Sequence, residues 1–342
     1  MYAWPALKMV SNLMFGRQLV AAVCFFLIQP VIAADEQPGD GFELLDRMTR
    51  AMQTQAYTGT FIYRHKDKVE TLKILHRNRD GHIDERLMTL SGKPREIIRS
   101  DSVVTCIWPE SKLLMVDRGR SGSNFPGLIF EDLDRVVQNY DLQVSPQSER
   151  VAGRDCLIVD VQPKDKLRYG YRLWIDKDNH LLVRSDLLGE SQQPLEQVIF
   201  TELTTHDNLP DEAFKPELLS AGFRQQEIDE TGQQTDNQSA ANNHWQVNRL
   251  PPGFVLQLYK QRVRKNSNVQ VEHMVFSDGL ASVSVFIEPV AKDKPAQTDR
   301  RRGALNVYSK VIDGRNATIV GEVPQQTVEL IAESIQYAGN KK

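Results

Sequence analysis

Between Tyr57 and Leu203 the chain keeps breaking into short segments of period-two hydrophobicity, each ended by a turn signal. Period-two alternation sends every second side chain to the same face of a strand, and closely spaced turns leave room only for antiparallel neighbours. Tyr57-Thr-Gly-Thr-Phe-Ile-Tyr63 and Val69-Glu-Thr-Leu-Lys-Ile-Leu75 flank the polar loop His65-Lys-Asp-Lys68 as a hairpin does. Asp80-Gly81 opens the next turn, followed by His82 to Leu90 and Arg95 to Ile98, and Val103 to Trp108 pairs with Lys112 to Val116 across Pro109-Glu-Ser111. Strands return at Cys156 to Val161, Tyr169 to Ile175, Leu181 to Leu188 and Leu195 to Leu203.

Two passages depart from this period. Phe42, Leu44, Leu45, Met48 and Met52 recur at helical spacing behind Asp40 and Gly41, which suit a cap. Leu128, Phe130 or Leu133, Val136, Val137 and Tyr140 do the same after the loop Arg118 to Gly127. The prediction is an α+β domain, a large curved antiparallel sheet (a half-barrel) with helices on its concave side. Such a sheet closes on its helix as packed core or leaves an apolar hollow, and the period is the same in both cases.

The N-terminus reads as a secretory leader. Lys8 and Arg17 precede the apolar stretch Leu19 to Ile32, and Val31-Ile32-Ala33-Ala34 suits a signal peptidase. Against a membrane anchor, the stretch falls short of the ~20 residues a spanning helix needs, and Gln29-Pro30 interrupts it. Cleavage of residues 1–34 moves the formal net charge from −3 to −5, because Lys8 and Arg17 leave with no acid. That balance excludes nucleic acid as a general partner. Cys106 and Cys156 remain in an oxidising compartment, where one disulfide or two buried thiols on separate strands are both open to them.

The mature length, 308 residues, exceeds what one core usually serves, so two domains are expected. Composition marks the seam. Gln225 to Asn243 is acidic and amide-rich, with Ile228 its only large apolar residue, and cannot bury enough surface to offset its ordering entropy. The boundaries are then 35–224 for the first domain, 225–243 for the linker, 244–337 for a smaller second domain and 338–342 for a tail. In the second domain, strands Phe254 to Tyr259 and Val269 to Phe276 precede the turn Ser277-Asp-Gly279. Leu280 to Ile287 then runs uncharged until Pro289, and a hairpin turns at Asp313-Gly314. Pro324 opens a helix with Val328, Ile331 and Ile335 as its buried stripe. A five-stranded antiparallel sheet with a C-terminal helix is expected.

The search for catalytic chemistry is negative. The seven histidines show no His-x-His or His-Glu-x-x-His spacing, so a zinc site is not expected, and neither is any other metal or cofactor. Asp176-x-Asp178-x-His180 lacks the glycine and terminal glutamate of a calcium loop. Ser121 lies outside a nucleophile elbow, because Ser123 stands where its second glycine belongs. The chain reads as a binding protein and not as an enzyme. Two features suggest binding. Phe61, Tyr63, Leu72, Ile74, Trp108, Met115, Tyr171 and Leu173, beside the loop 118–127, could line an apolar ligand cavity, although ordinary core packing explains most of them. Arg262, Arg264 and Lys265, with Arg300, Arg301 and Arg302, form two basic runs. Taken singly each suits a solvated loop, and together they suit docking to an acidic partner.

Several passages together resemble one family. They are Leu250-Pro-Pro-Gly-Phe254, Ser277 to Glu288, Gly303-Ala-Leu-Asn-Val-Tyr308 and Val320-Gly-Glu-Val-Pro324, supported by Tyr57 to Phe61 and Arg168 to Asp176. These are similar to the MucB/RseB family of periplasmic regulators of the envelope-stress sigma factor. The resemblance implies a first domain with a lipoprotein-carrier-like fold and a partner that is the periplasmic part of a membrane-spanning anti-sigma factor. The bound regulator would shield that factor from the site-1 protease, and lipid or mislocalised lipoprotein would release it. The resemblance transfers no catalytic residue, and the chain is also compatible with a homo-oligomer. The first domain alone suggests an alternative, a periplasmic lipoprotein or lipid carrier.

Overall fold

The computed structural model describes residues 40–118, 130, 132–229, 244–264, 269–290 and 297–338. The leader, the loop 119–127 and Lys265 lie outside them, as does most of the expected linker. Helix α1 (Gly41–Thr54) starts at Asp40, whose carboxylate accepts the Phe42 N–H at 3.1 Å. Leu44, Leu45, Met48, Ala51 and Met52 form its buried stripe. Leu45 and Met48 have no exposed surface, and each such side chain contributes about 1.5–3 kcal/mol on burial.

A meander follows: β1 (Ala56–His65), β2 (Lys68–Arg79), β3 (His82–Thr89), β4 (Glu96–Ser100), β5 (Val103–Trp108) and β6 (Leu113–Arg118). Asp80 and Gly81 turn the chain between β2 and β3 with φ of 54° and 88°, the left-handed pair that a two-residue hairpin demands. The second expected helix is short. Its span α2 (Leu133–Asn139) gives way at once to β7 (Tyr140–Val144), so Tyr140 is a strand residue. Then come β8 (Glu149–Val151), β9 (Arg154–Pro163), β10 (Gly170–Asp176), β11 (Leu182–Leu188) and β12 (Pro194–His206). A 3-10 turn, Asp211–Phe214, precedes β13 (Arg224–Asp229). These thirteen strands form one sheet in the order β13-β6-β5-β4-β3-β2-β1-β12-β11-β10-β9-β7, with β8 paired to β9.

The curvature of this sheet follows from one contact. Helix α1 packs on both β2 and β7, which stand six places apart in the strand order. On a flat sheet that is ~29 Å at ~4.8 Å per strand. The helix's N-terminal Gly41 meets Leu142 of β7 and its C-terminal Gln53 meets His76 and Asn78 of β2, and a 14-residue helix is only ~21 Å long, so the sheet must curl toward it. The opposite face of β2, β3 and β4 is covered by the segment 209–218. Leu75 packs with Leu209 and Phe214, Arg77 pairs with Asp84 at 2.6 Å and donates to the Leu209 carbonyl at 2.6 Å. The fully buried Glu96 carboxylate accepts the Glu217 and Leu218 N–H groups.

Strand β13 corrects the expected seam. Gln225 to Asp229, the first part of the expected linker, pairs in parallel with β6 as an edge strand. Its residues Arg224 to Glu227 are all exposed, so composition carries no sign of it, and backbone pairing to β6 supplies what apolar alternation does not. The second sheet has six strands where five were expected. They are β15 (Val255–Arg264), β16 (Val269–Ser277), β17 (Ser282–Pro289), β18 (Gln297–Arg302), β19 (Leu305–Ile312) and β20 (Arg315–Gly321), ordered β15-β16-β17-β20-β19-β18. The unexpected strand, β18, reads Gln-Thr-Asp-Arg-Arg-Arg and sits at an edge, where no apolar alternation is required. Helix α3 (Gln325–Glu333) follows Pro324, and β14 (Trp245–Val247) pairs with β21 (Ile335–Tyr337). Two separate apolar cores result, one under α1 and one under α3. Residues 37–342 nevertheless form one compact unit, because the two bodies meet closely.

Candidate functional site

The expected apolar lining divides in two. Phe61 faces Leu72 across the β1–β2 ladder and Phe200 at 5.4 Å between ring centroids. Together with Ile74 and Leu173 they are buried in the cluster that contains Leu45, Met48 and Met52 of α1. These four are core. Tyr63 and Tyr171 pack on the rim of that cluster and are half-buried. Trp108 and Met115 are elsewhere. Direct cross-strand partners run Ile74–Leu87–Ile97–Cys106–Met115, so the register puts Met115 on the same concave face, four strands beyond Ile74. Ile97, Cys106, Trp108 and Met115 are half-buried there.

The two cysteines stand on β5 and β9, with β4, β3, β2, β1, β12, β11 and β10 between them. No disulfide joins them in this fold, and burial pushes the Cys156 thiol up to about 11. The basic runs are strands and not loops at Arg262, Arg264, Arg300, Arg301 and Arg302. They also belong to opposite edges of the second sheet, five places apart, or ~24 Å across a flat sheet.

The strongest constellation lies where the two bodies meet, and the sequence reading passed over it. The segment between β9 and β10, residues 165–169, receives bonds from four parts of the second body. Arg168 is fully buried and ion-pairs through Nη1 with Asp278, which is also fully buried. Its Nη2 donates to the Pro252 carbonyl at 2.7 Å, and Asp165 takes Nε and Nη2 at 3.1 and 2.9 Å. Tyr140 donates its hydroxyl to Asp278 at 3.1 Å. Burial, reinforced by the Asp278 charge, holds that hydroxyl far above the usual phenol range. The guanidinium lies 5.4 Å from the Tyr140 and Phe254 ring centroids. Thr327 donates to the Leu167 carbonyl at 2.7 Å, Gln326 to that of Lys166, and Asn306 to the Tyr169 hydroxyl at 3.1 Å.

Glycines let the bodies approach this closely. A Cβ on Gly279, at φ 97°, would stand 2.8 Å from the Asp132 carbonyl, and one on Gly253 would strike Asn139 at the end of α2. Gly303 seats against the His65 ring, and Ala304 is buried between Tyr169 and Leu187. Four of the six passages that carried the resemblance, Leu250–Phe254, Ser277–Glu288, Gly303–Tyr308 and Arg168–Asp176, thus send residues to one junction. The available signal was an Asp-Gly turn leading into an uncharged strand, and an arginine opening an apolar one. Neither names its partner.

At the other end the junction opens into a cleft of about 320 Å³ lined by Tyr63, His65, Lys68, Glu70, Arg95, Glu196, Leu305 and Glu322. Tyr63 donates to Glu196 at 2.7 Å and His65 Nδ1 lies 2.9 Å from the same carboxylate. Burial, then the bond to Glu196, holds the Tyr63 hydroxyl above its usual range. Partial burial raises the Glu322 carboxyl, with Glu196 adding to it and His65 opposing, although Glu322 still meets solvent. Among the described residues no three His, Cys, Asp or Glu side chains are grouped to hold a metal ion.

The chain was compared with known proteins. Residues 40–218 match the MucB/RseB N-terminal domain and 239–336 the MucB/RseB C-terminal domain. The sigma factor AlgU regulatory protein MucB of Pseudomonas aeruginosa is 33% identical over 305 residues, covering 88% of this chain and 92% of the relative. The sigma-E factor regulatory protein RseB of Salmonella typhimurium is 30% identical over 335 residues, covering 96% and 99%. Among solved structures, the Pseudomonas aeruginosa MucA/MucB complex superposes with a TM-score of 0.69 at 28% identity. MucB in complex with MucA(peri) gives 0.67 at 29%. Each covers 88% of this chain and all of the other. With both halves matched and the junction built from the passages that define the likeness, the chain belongs to the MucB/RseB family, whose named relatives are regulatory proteins of sigma factors.

Proposed function

We propose that this protein binds the periplasmic part of a membrane-spanning anti-sigma factor, shields it from the first regulatory cleavage and so holds the envelope-stress response off. The observation that carries the reading is that a relative solved as a complex with MucA(peri) matches this chain across both bodies and not across one domain alone. The leader at residues 1–34 would deliver the chain to the periplasm. Release follows when lipid or a mislocalised lipoprotein binds. The half-buried row Ile97, Cys106, Trp108 and Met115 on the concave face is the surface suited to acyl chains. A tenfold loss of anti-sigma affinity requires a coupling of about 1.4 kcal/mol between the two sites.

The test is a calorimetric titration of the mature chain with a purified anti-sigma periplasmic domain, repeated with lipid A or an acylated lipopeptide. Tight binding that weakens at least tenfold with lipid is expected, together with protection of the anti-sigma domain from limited proteolysis. Absence of binding would overturn the reading, and binding indifferent to lipid would remove the release step. A carrier would instead extract acyl chains from vesicles stoichiometrically, and its activity would not need the second body.

A further inference from the structure

We propose that Arg168 and Asp278 form an orientation lock, which gives the second body one docked position on the first and makes its release all-or-none. Each charge is fixed from within its own body. Asp165 grips the Arg168 fork from three residues away, and the turn at 278–281 grips Asp278, whose Oδ1 accepts the Leu280 N–H at 3.0 Å and the Ala281 N–H at 2.7 Å. The two prepared charges meet only in one register. Both have no exposed surface in that register.

A shift of a few ångströms would leave a guanidinium and a carboxylate facing each other across a gap too narrow for water to serve both. Unpaired buried charges are strongly unfavourable, so intermediate positions are depleted, and only the docked and the fully hydrated states remain. The remaining bonds to this segment are single ones: Thr327 to Leu167, Gln326 to Lys166, and Asn306 to Tyr169. All converge on the same residues and would be lost together when the pair parts. A continuously adjustable junction would scatter such bonds along its length. Among the described residues the cleft end carries no buried ion pair between the bodies, so the lock sits at one end and the opening at the other.

The experiment is electron–electron distance measurement on the full mature chain. Spin labels are placed at exposed Thr201 and Val311 in a background with both native cysteines replaced by serine. The wild-type pair should give one narrow distance. Asp278→Asn, which strands the arginine, should raise the population at longer distance at least tenfold. Replacing both charges with apolar residues, Arg168→Met with Asp278→Leu, should restore docking but with a distribution broader than wild type. A wild-type distribution for Asp278→Asn overturns the lock, and so does a double variant as narrow as wild type. Cooperative melting of both variants verifies that they fold. Only the use of this lock in regulation rests on the proposed anti-sigma reading. If the wild-type chain fails to bind an anti-sigma domain while the distances behave as stated, that reading falls and the lock stands.

Discussion

The junction between the two sheets has two ends of different character. At one end Arg168 and Asp278 are fully buried and bonded on every side, with glycines 253 and 279 letting backbone meet backbone. At the other, Tyr63, His65, Glu196 and Glu322 line a cleft that solvent enters, where the second body supplies Leu305 and Glu322 and meets His65 at Gly303. The same kinds of side chain do different work at the two ends because the dielectric differs. In a dry site an unmatched charge is strongly unfavourable, so pairing there fixes geometry. In a wet cleft screening makes pairing weak, so the geometry stays adjustable.

The largest contrast should come from the dry end. Asp278→Ala leaves Arg168 buried without its partner and should cost about 3–5 kcal/mol in urea unfolding monitored by tryptophan fluorescence. An effect below about 1 kcal/mol would mean that the pair is hydrated in solution. Next are the two glycines. Gly279→Ala must push against the Asp132 carbonyl and should cost about 3 kcal/mol, strain and overpacking together. Gly303→Ala meets a histidine ring that can move aside only by giving up its contact with Glu196, so about 2 kcal/mol is expected, backbone strain and that contact together. Equal losses in the two variants would erase the distinction between the ends.

Smaller effects are expected in the cleft itself. Tyr63→Phe removes one hydrogen bond to Glu196 and should lower stability by about 1 kcal/mol. Glu322→Gln tests the sign of an effect. Partial burial, then the Glu196 charge, holds this carboxyl above its ordinary value, so its charged form disfavours the folded state at neutral pH. Wild-type stability should therefore gain relative to the glutamine variant as pH falls through the raised value. Below about pH 4 the group is protonated folded and unfolded alike, and the difference disappears. Melting curves should show the variant slightly higher at pH 7 and equal in acid. A variant less stable at pH 7 would mean that Glu322 is held by a favourable partner.

Most of the first sheet was legible because its strands obey local rules. The Asp80-Gly81 turn, the hairpin around Lys66, the cap at Asp40 and the stripe Leu44 to Met52 each depend on neighbours within a few residues. Strands β13 and β18 were not legible. Edge strands need only backbone pairing on one side, and polar sequences supply it as well as apolar ones. The apolar set was half legible for a similar reason: alternation identified the face, but only α1 decided that Phe61 and Leu72 are covered while Trp108 and Met115 are half-exposed. That the two arginine runs belong to opposite edge strands was not legible either, because sequence carries no strand order.

By itself the sequence determined the class of fold, two bodies with separate cores, and the family, since each follows from short-range periodicity and a few extended motifs. Tertiary structure alone decided what those motifs do. Arg168 and Asp278 stand 110 residues apart, and nothing local to either marks it as half of a pair. A turn aspartate and a loop arginine are ordinary in water. Their meaning arises only when folding removes the water between them.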